Sequence, residues 1–206
     1  MSADLQGWTR AWRDLGLPAD EAVYHRLVAC WNEPHRAYHT MQHLGECMAL
    51  FDEVRGLARA PGEVALGLWF HDAFYDVHRD DNEARSADWA AQCIRDAGGS
   101  EHISAHVHAL VMATLHRDAP DSPDARLLVD IDLASLAADT ARFDETNVQM
   151  RHVYAHVPEN EYRTGRKRVL NGFLERRHLY STEHFRALLE ARARQNLQRA
   201  IARLDR

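Results

Sequence analysis

The chain has 206 residues, and its 46% hydrophobic and 27% charged residues are typical of a globular protein rather than a disordered or fibrous one. Its 25 Lys and Arg against 31 Asp and Glu give a net charge of −6, which disfavours a nucleic-acid-binding protein because such proteins normally carry a basic excess. No stretch approaches the ~20 apolar residues of a membrane span, the three cysteines lie far apart, and no signal-peptide pattern opens the sequence, so we expect a cytoplasmic protein without membrane association.

Apolar residues recur with helical spacing along nearly the whole chain, and no segment alternates convincingly as a β-strand would. The first helix is predicted from Leu5, Trp8, Trp12 and Leu15, which recur every three or four residues. Later helices are predicted to begin at or just after capping residues and prolines: Asp20, Thr40, Pro61, Asn82, Ser100, Pro123, Asp139 or Thr140, Pro158 and Thr182. About nine or ten helices joined by short connections predict a compact all-α domain over residues 1–206.

The 14 histidines are the one anomaly of the composition, because histidine is the commonest metal ligand and proton carrier in proteins. Three short runs concentrate ligand-type side chains beside apolar helical segments. They are residues 38–43 (YHTMQH), residues 69–76 (WFHDAFYD) and residues 130–133 (DIDL). Buried imidazoles and carboxylates must be paired or bound to a metal to offset their lost hydration, so these runs are the candidates for a functional site.

The dipeptide His71-Asp72 ends an apolar helix. Because adjacent side chains leave a helix roughly 100° apart, both can bind one ion only if that ion lies against the end of the helix. The remaining ligands must then come from other helices, and His43 and Asp132 are of the right types. Two imidazoles and two carboxylates suit a borderline or hard divalent ion, such as Mn²⁺, Fe²⁺, Co²⁺, Zn²⁺, Ni²⁺ or Mg²⁺. The four side chains therefore predict a divalent-metal site.

The order His, His-Asp, Asp on an all-helical chain resembles the HD superfamily of metal-dependent phosphohydrolases. The likeness is greatest to its small, uncharacterised bacterial members of about this length. The motifs that carry it are YHTMQH, FHDAFYD, NEARSA and the tail RHLYSTEHFRALLEARARQNL, and they span most of the chain. The resemblance implies an HD-type fold with the site region at about residues 36–136 and a C-terminal helical extension at about residues 140–206.

The resemblance also implies which residues hold the metal. The first motif histidine of the superfamily is followed by an aliphatic residue, which His43 before Leu44 fits better than His39 does. The central pair corresponds to His71 and Asp72. The terminal aspartate precedes a leucine and corresponds to Asp132, with Asp130 as the alternative.

The implied reaction is the cleavage of a phosphoester of a small phosphorylated metabolite or nucleotide by metal-activated water. Asp72 would accept the proton of that water, His39 would protonate the leaving group or line the site, and Glu83 would serve as a further base or ligand. An arginine would clamp the phosphate. The candidates for that arginine are Arg36, Arg79, Arg166 and Arg168.

Several alternatives stay open. Two-metal members of the superfamily add two histidines before the final aspartate, and His116 resembles one such position, although we favour a single metal. The surplus histidines also suit a di-iron HD-type oxygenase, and the compact domain suits a non-catalytic metal- or nucleotide-binding module. The long amphipathic C-terminal helix could pack internally or pair with a second copy of the chain.

Overall fold

The computed structural model describes residues 2–117 and 119–205, and it confirms the all-α prediction. Within these residues 72% of the structure is helical and no strand is formed. The α-helices are α1 (Leu5–Asp14), α2 (Glu21–Trp31), α3 (Met41–Val54), α4 (Pro61–Phe70), α5 (Asn82–Asp96), α6 (Glu101–Met112), α7 (Pro123–Asp132), α8 (Thr140–Val153), α9 (Glu159–Glu175) and α10 (Glu183–Leu204). Short 3₁₀ segments follow α3, α6 and α7 at Arg55–Leu57, Ala113–Leu115 and Leu133–Ala137.

The chain divides into two compact units. The first ends at Asp132 and contains α1 to α7, and the second begins at Leu133 and contains α8 to α10. The expectation of one domain over residues 1–206 stays a prediction. No helix in the described ranges combines the length and the apolar character that a membrane crossing requires.

Helix starts follow the capping chemistry of the sequence. Thr40 accepts a hydrogen bond from the Gln42 N–H at 3.3 Å and so begins α3. Asp139, rather than Thr140, caps α8, because its carboxylate accepts the Arg142 N–H at 2.9 Å. Caps of this kind typically stabilise a helix by about 1 kcal/mol each, so these boundaries are set locally.

Helix α4 lies at the centre of the first unit and contacts α1, α3, α5, α6 and α7. Eight of its ten residues are buried. Gly67 allows α6 and α7 to approach closely, since a Cβ at this position would lie 2.5 Å from Leu128 Cδ1 and 3.3 Å from Leu110 Cβ. The C-terminal end of α4 is thereby held beside the helices that carry the other candidate ligands.

A buried carboxylate connects α7 to the start of α4. Asp124, in the first turn of α7, is 2% exposed and accepts the backbone N–H groups of Arg59 and Ala60 at 2.8 and 2.9 Å. These two bonds fix the beginning of α4 against the beginning of α7. They set the relative positions of two helices whose far ends both carry predicted metal ligands.

The second unit is organised around α10. Asn196 donates from Nδ2 to the carbonyl oxygens of Leu136 and Ala138, each at 2.9 Å. The hydroxyl of Tyr180 donates to the Leu133 carbonyl at 3.2 Å. Buried polar side chains thus hold the segment Leu133–Ala138 by its backbone within this unit.

Candidate metal centre

Three predicted ligands converge at the ends of three helices of the first unit. His43 Nε2 lies 3.2 Å from His71 Nε2 and 3.1 Å from Asp132 Oδ1, and His71 Nε2 lies 3.6 Å from the same Asp132 oxygen. Both imidazoles are 1% exposed. Within residues 2–117 and 119–205, this is the one group of three or more His, Cys, Asp or Glu whose ligand atoms all lie within 4.8 Å of one another.

The spacing of these donor atoms fits a divalent cation. Nitrogen and carboxylate ligands bind such an ion at about 2.0–2.2 Å, so two of them lie about 3.0 Å apart at right angles and about 3.4 Å apart at the tetrahedral angle. Two of the three observed separations, 3.1 and 3.2 Å, lie within this range, and the third, 3.6 Å, lies slightly above it. The residues present therefore fit a metal by geometry as well as by donor type.

Local structure orients each of the three ligands. The Thr40 cap places His43 in the first turn of α3. His71 terminates α4, and its Nδ1–H donates to the Leu68 carbonyl at 2.7 Å, which leaves Nε2 facing the other ligands. Asp132 is the last residue of α7. The neighbouring acid Asp130 is fully buried and lies outside the group of three, so Asp132 is the better terminal aspartate.

Asp72, the fourth predicted ligand, lies beside the group of three but is not a member of it: its Oδ2 is 3.2 Å from His71 Nε2. Burial raises the pKa of Asp72, but the charges of His71 and His39 outweigh burial and hold its pKa well below the usual value. Burial lowers the pKa of His71, but the charge and hydrogen bond of Asp72 and the charge of Asp132 outweigh it and raise the pKa to about 9. The site thus holds ionised carboxylates against a protonated His71 at neutral pH.

His116 contacts the other oxygen of Asp132, with Nε2 2.9 Å from Oδ2. Its backbone has φ 54°, the one left-handed non-glycine residue in the described ranges. Such a conformation costs energy, and it persists where surrounding structure fixes it, often at functional sites. Burial raises the pKa of Asp132, but hydrogen bonds with His116 and His43 and the charge of His71 hold it well below its usual value. His116 is thus placed to orient Asp132.

His39 lies at the edge of the cluster. Its Nε2 is 3.9 Å from Asp72 Oδ2, and its ring packs on Tyr75 with centroids 4.1 Å apart. Burial lowers the pKa of His39 to about 4, although the charge of Asp72 opposes this. A ring that is neutral at pH 7 fits a hydrogen-bonding role better than the proton-donating role expected from the sequence.

Glu83 lies in the first turn of α5 and is half-buried. Burial raises its pKa, the charge of Asp72 raises it further, and His116 and Arg117 oppose the change. The charges of Asp72 and His116 thus act on Glu83. A carboxyl with a raised pKa is suited to carrying a proton, so the predicted role of Glu83 as a base remains chemically reasonable.

Arg36 does not fit the phosphate-clamping role that the sequence suggested. Its side chain is buried, and each guanidinium nitrogen already has an acceptor. Nη1 donates to the Asp72 and His39 carbonyls at 2.6 and 3.3 Å, Nη2 donates to the Ala73 carbonyl and to Glu33, each at 2.9 Å, and Nε donates to Glu33 at 2.9 Å. A guanidinium used in this way has no donor left for a substrate.

The other predicted arginines lie elsewhere. Arg79 is exposed and forms a two-point ion pair with Asp81 at 2.5 and 2.7 Å. Arg166 and Arg168 lie on α9 in the second unit, where Arg166 contacts Asn147 at 3.5 Å. The roles of these three arginines as phosphate ligands stay predictions.

Sequence comparisons add no identification. A scan against protein-family models, a search of curated proteins and a search of solved structures each gave no match. The HD resemblance therefore stays an interpretation of the motifs and of the site geometry.

Two polar residues of the NEARSA run have a role that the sequence analysis did not assign. Asn82 exchanges two hydrogen bonds with the backbone of Asp76, at 3.2 and 2.8 Å. Ser86 is fully buried and accepts the Phe74 N–H at 3.0 Å. These three bonds hold the loop that follows His71-Asp72. The signal in the sequence was the presence of two small polar residues on the inner face of a predicted helix.

Arg117 was also missed. It directly follows His116, its side chain is exposed, and it forms no hydrogen bond or ion pair with the part of the chain that the structure describes. Its charge acts on Glu83. Arg117 is thus a guanidinium near the cluster whose donors are not used by another described residue.

Proposed function

We propose that the chain is a metal-dependent phosphohydrolase that cleaves a phosphoester of a small phosphorylated metabolite or nucleotide. The observation that carries this proposal is the convergence of His43, His71 and Asp132 at separations suited to one divalent cation, with Asp72 beside them. The order of these residues along the chain, which resembles that of the HD phosphohydrolases, supports the same proposal.

His43, His71, Asp72 and Asp132 would hold the ion, and His116 would fix the orientation of Asp132. A divalent cation bound there supplies a water of lowered pKa and neutralises charge on the phosphoryl oxygens. Mn²⁺, Fe²⁺, Co²⁺, Zn²⁺, Ni²⁺ and Mg²⁺ all suit this mixture of nitrogen and oxygen ligands.

The remaining residues would handle the substrate and the protons. Asp72 is ionised at neutral pH and can accept a proton from the attacking water. Glu83, with its raised pKa, can pass that proton on. Neutral His39 can donate a hydrogen bond to the substrate, and Arg117 can contact the phosphate from the exposed side.

Metal analysis followed by an activity panel tests the proposal. Purified protein, loaded with each candidate ion in turn, is assayed against a panel of phosphomonoesters, phosphodiesters, cyclic phosphates and nucleotides. We expect phosphate release that chelation abolishes and that His71→Ala lowers at least about 10²-fold, as loss of a metal ligand does. His102→Ala is the matched control, because His102 is exposed on α6 of the same unit.

Two other functions are outcomes of the same experiment. Two irons per chain with a mixed-valent spectroscopic signal would instead support a di-iron oxygenase. A metal-loaded protein that hydrolyses nothing in the panel, and whose nucleotide binding is unchanged by His71→Ala, would instead support a non-catalytic binding module.

A further inference from the structure

We infer that Arg36 is a positioning residue that fixes two backbone segments of the metal centre relative to each other. The first segment, residues 36–43, carries His43, and the second, residues 71–75, carries His71. This inference rests on the proposed function, because it concerns the same site. Arg36 lies in the loop between α2 and α3, seven residues before His43 in the sequence and well before the His71-Asp72 pair.

The contacts of Arg36 join both segments at their backbones. One nitrogen, Nη1, donates to the carbonyl of His39, in the first segment, and to the carbonyl of Asp72, in the second. The neighbouring Nη2 donates to Ala73, one residue further along the second segment. Since the acceptors are carbonyl oxygens, this guanidinium fixes the course of the main chain from which the ligands project.

The surroundings keep the guanidinium in this place. Glu33 pairs with Nε and Nη2, each at 2.9 Å, and supplies the charge that a buried cation requires. The rings of Trp31 and Tyr75 lie 5.7 Å from Arg36 Cζ. His35, the preceding residue, adds a further bond to the second segment through the Tyr75 carbonyl at 2.7 Å.

Lysine cannot replace this arrangement, although it keeps the charge. Its single ammonium has three donors on one nitrogen, whereas the acceptors around Arg36 are distributed over three nitrogens of a planar group. Arg36→Lys therefore preserves the buried cation but loses the planar connection between the two segments.

The test measures binding of Co²⁺ alone to the full chain, by titration of the visible absorption bands that report coordination geometry. We expect Arg36→Lys to weaken Co²⁺ binding about ten- to hundredfold and to change those bands, as loss of groups that orient metal ligands does. Arg55→Lys is the matched control, because Arg55 pairs with Asp14 in the same unit and lies over the Phe51 ring, away from the ligands. Wild-type affinity and bands in Arg36→Lys would overturn the inference.

If Arg36→Lys does not fold, a second variant, Glu33→Gln, tests the same inference, because Glu33 is the carboxylate partner of Arg36. Glu33 is partly exposed, and its loss loosens Arg36 without removing it. We expect binding of Co²⁺ to weaken about threefold, since one charge-assisted partner of the guanidinium is lost. Unchanged binding in Glu33→Gln would overturn the inference.

A metal-free measurement separates failure of this inference from failure of the proposed function. Nitrogen–proton correlation spectra of the imidazole rings report their surroundings without any ion. Arg36→Lys should shift the His39 and His71 ring signals well beyond the shifts seen in Arg55→Lys. Unshifted ring signals would overturn the inference, whereas shifted signals in a protein that hydrolyses no phosphoester would refute only the proposed function.

Discussion

The two ring nitrogens of His71 face different partners, and this difference determines what the ring can do. Nδ1 donates to the Leu68 carbonyl within its own helix, so its proton is fixed. Nε2 faces Asp72 and Asp132, whose charges outweigh burial and raise the pKa of the ring to about 9. Without a metal, the proton on Nε2 takes the place of a cation between the carboxylates.

Metal binding must therefore compete with this proton. Since a ligating imidazole is neutral, a metal that binds at pH 7 should release about one proton from His71. The affinity for the metal should therefore increase about tenfold for each unit by which the pH is raised, up to about pH 9. Calorimetric titration with Zn²⁺ in two buffers of different ionisation enthalpy measures the protons released. An affinity that does not change between pH 6 and pH 8 would contradict the assignment of His71 as a ligand.

Arg117 offers a test of substrate contact. Because its exposed guanidinium follows His116 and has no described partner, Arg117→Ala should raise KM for a phosphorylated substrate about tenfold and change kcat less. Steady-state kinetics with the best substrate of the panel measures both parameters.

Arg10→Ala is the control for that experiment, because Arg10 is partly exposed, pairs with Asp52 and is not a candidate phosphate ligand. Its KM should stay within about twofold of wild type, as expected for a surface ion pair. If both substitutions change KM by the same factor, Arg117 does not contact the substrate phosphate in the proposed way.

At this scale the sequence identified residue types better than residue roles. His43, His71 and Asp132 could be selected because their order and their neighbours form a pattern. Arg36 was one of four candidate phosphate ligands because a guanidinium binds phosphates and carbonyls equally well, and only the structure shows that its donors are occupied. The contact of His116 with Asp132 depends on the left-handed backbone conformation of His116, with φ 54°, which no local sequence pattern predicts.

Helix α4 contacts five other helices of the first unit, and its packing is close at Gly67. Gly67 leaves no room for a methyl group beside Leu128 and Leu110, so Gly67→Ala forces these two neighbours to shift. We expect a loss of about 1–3 kcal/mol in the free energy of unfolding, the usual cost of overpacking a core. Chemical denaturation followed by circular dichroism measures this loss.

Gly45→Ala is the matched control on α3, where an added Cβ would meet nothing within 4 Å. Because alanine favours helix more than glycine does, Gly45→Ala should stabilise the protein by about 0.5–1 kcal/mol. If the two substitutions change stability in the same direction, close packing around α4 is not the reason for Gly67.

The helices themselves were predictable because their determinants are local. A cap such as Thr40 or a proline such as Pro61 acts within one turn, so the sequence contains the whole signal. The approach of α7 to α4 was not predictable in this way. It depends on Gly67 and on the bonds from Asp124 to Arg59 and Ala60, which join residues more than 60 positions apart.

For the molecule as a whole, the net charge conceals a strong asymmetry between the units. The first unit carries 11 Lys and Arg against 22 Asp and Glu, a net charge of −11, and the second carries 14 against nine, a net charge of +5. The acidic excess thus lies in the unit that contains the candidate metal centre. A negative field of this kind raises the local concentration of cations and speeds their association.

The metal should also stabilise the fold, because its ligands meet only in the folded first unit. His43 and Asp132 lie 89 residues apart in the chain, so the unfolded chain presents no comparable site. Free metal at about 100 times Kd adds about 2.7 kcal/mol to the free energy of unfolding. For a chain of this size, that raises the melting temperature by roughly 5–11 °C.

Differential scanning calorimetry with Zn²⁺ and with a chelator measures this shift, and His71→Ala is the control. The variant should show a much smaller Zn²⁺-dependent rise than wild type, since two of the three converging ligands cannot hold the ion as tightly as three. An equal Zn²⁺-dependent rise in wild type and His71→Ala would mean that the ion binds elsewhere, because stabilisation by linkage requires a site that the substitution removes.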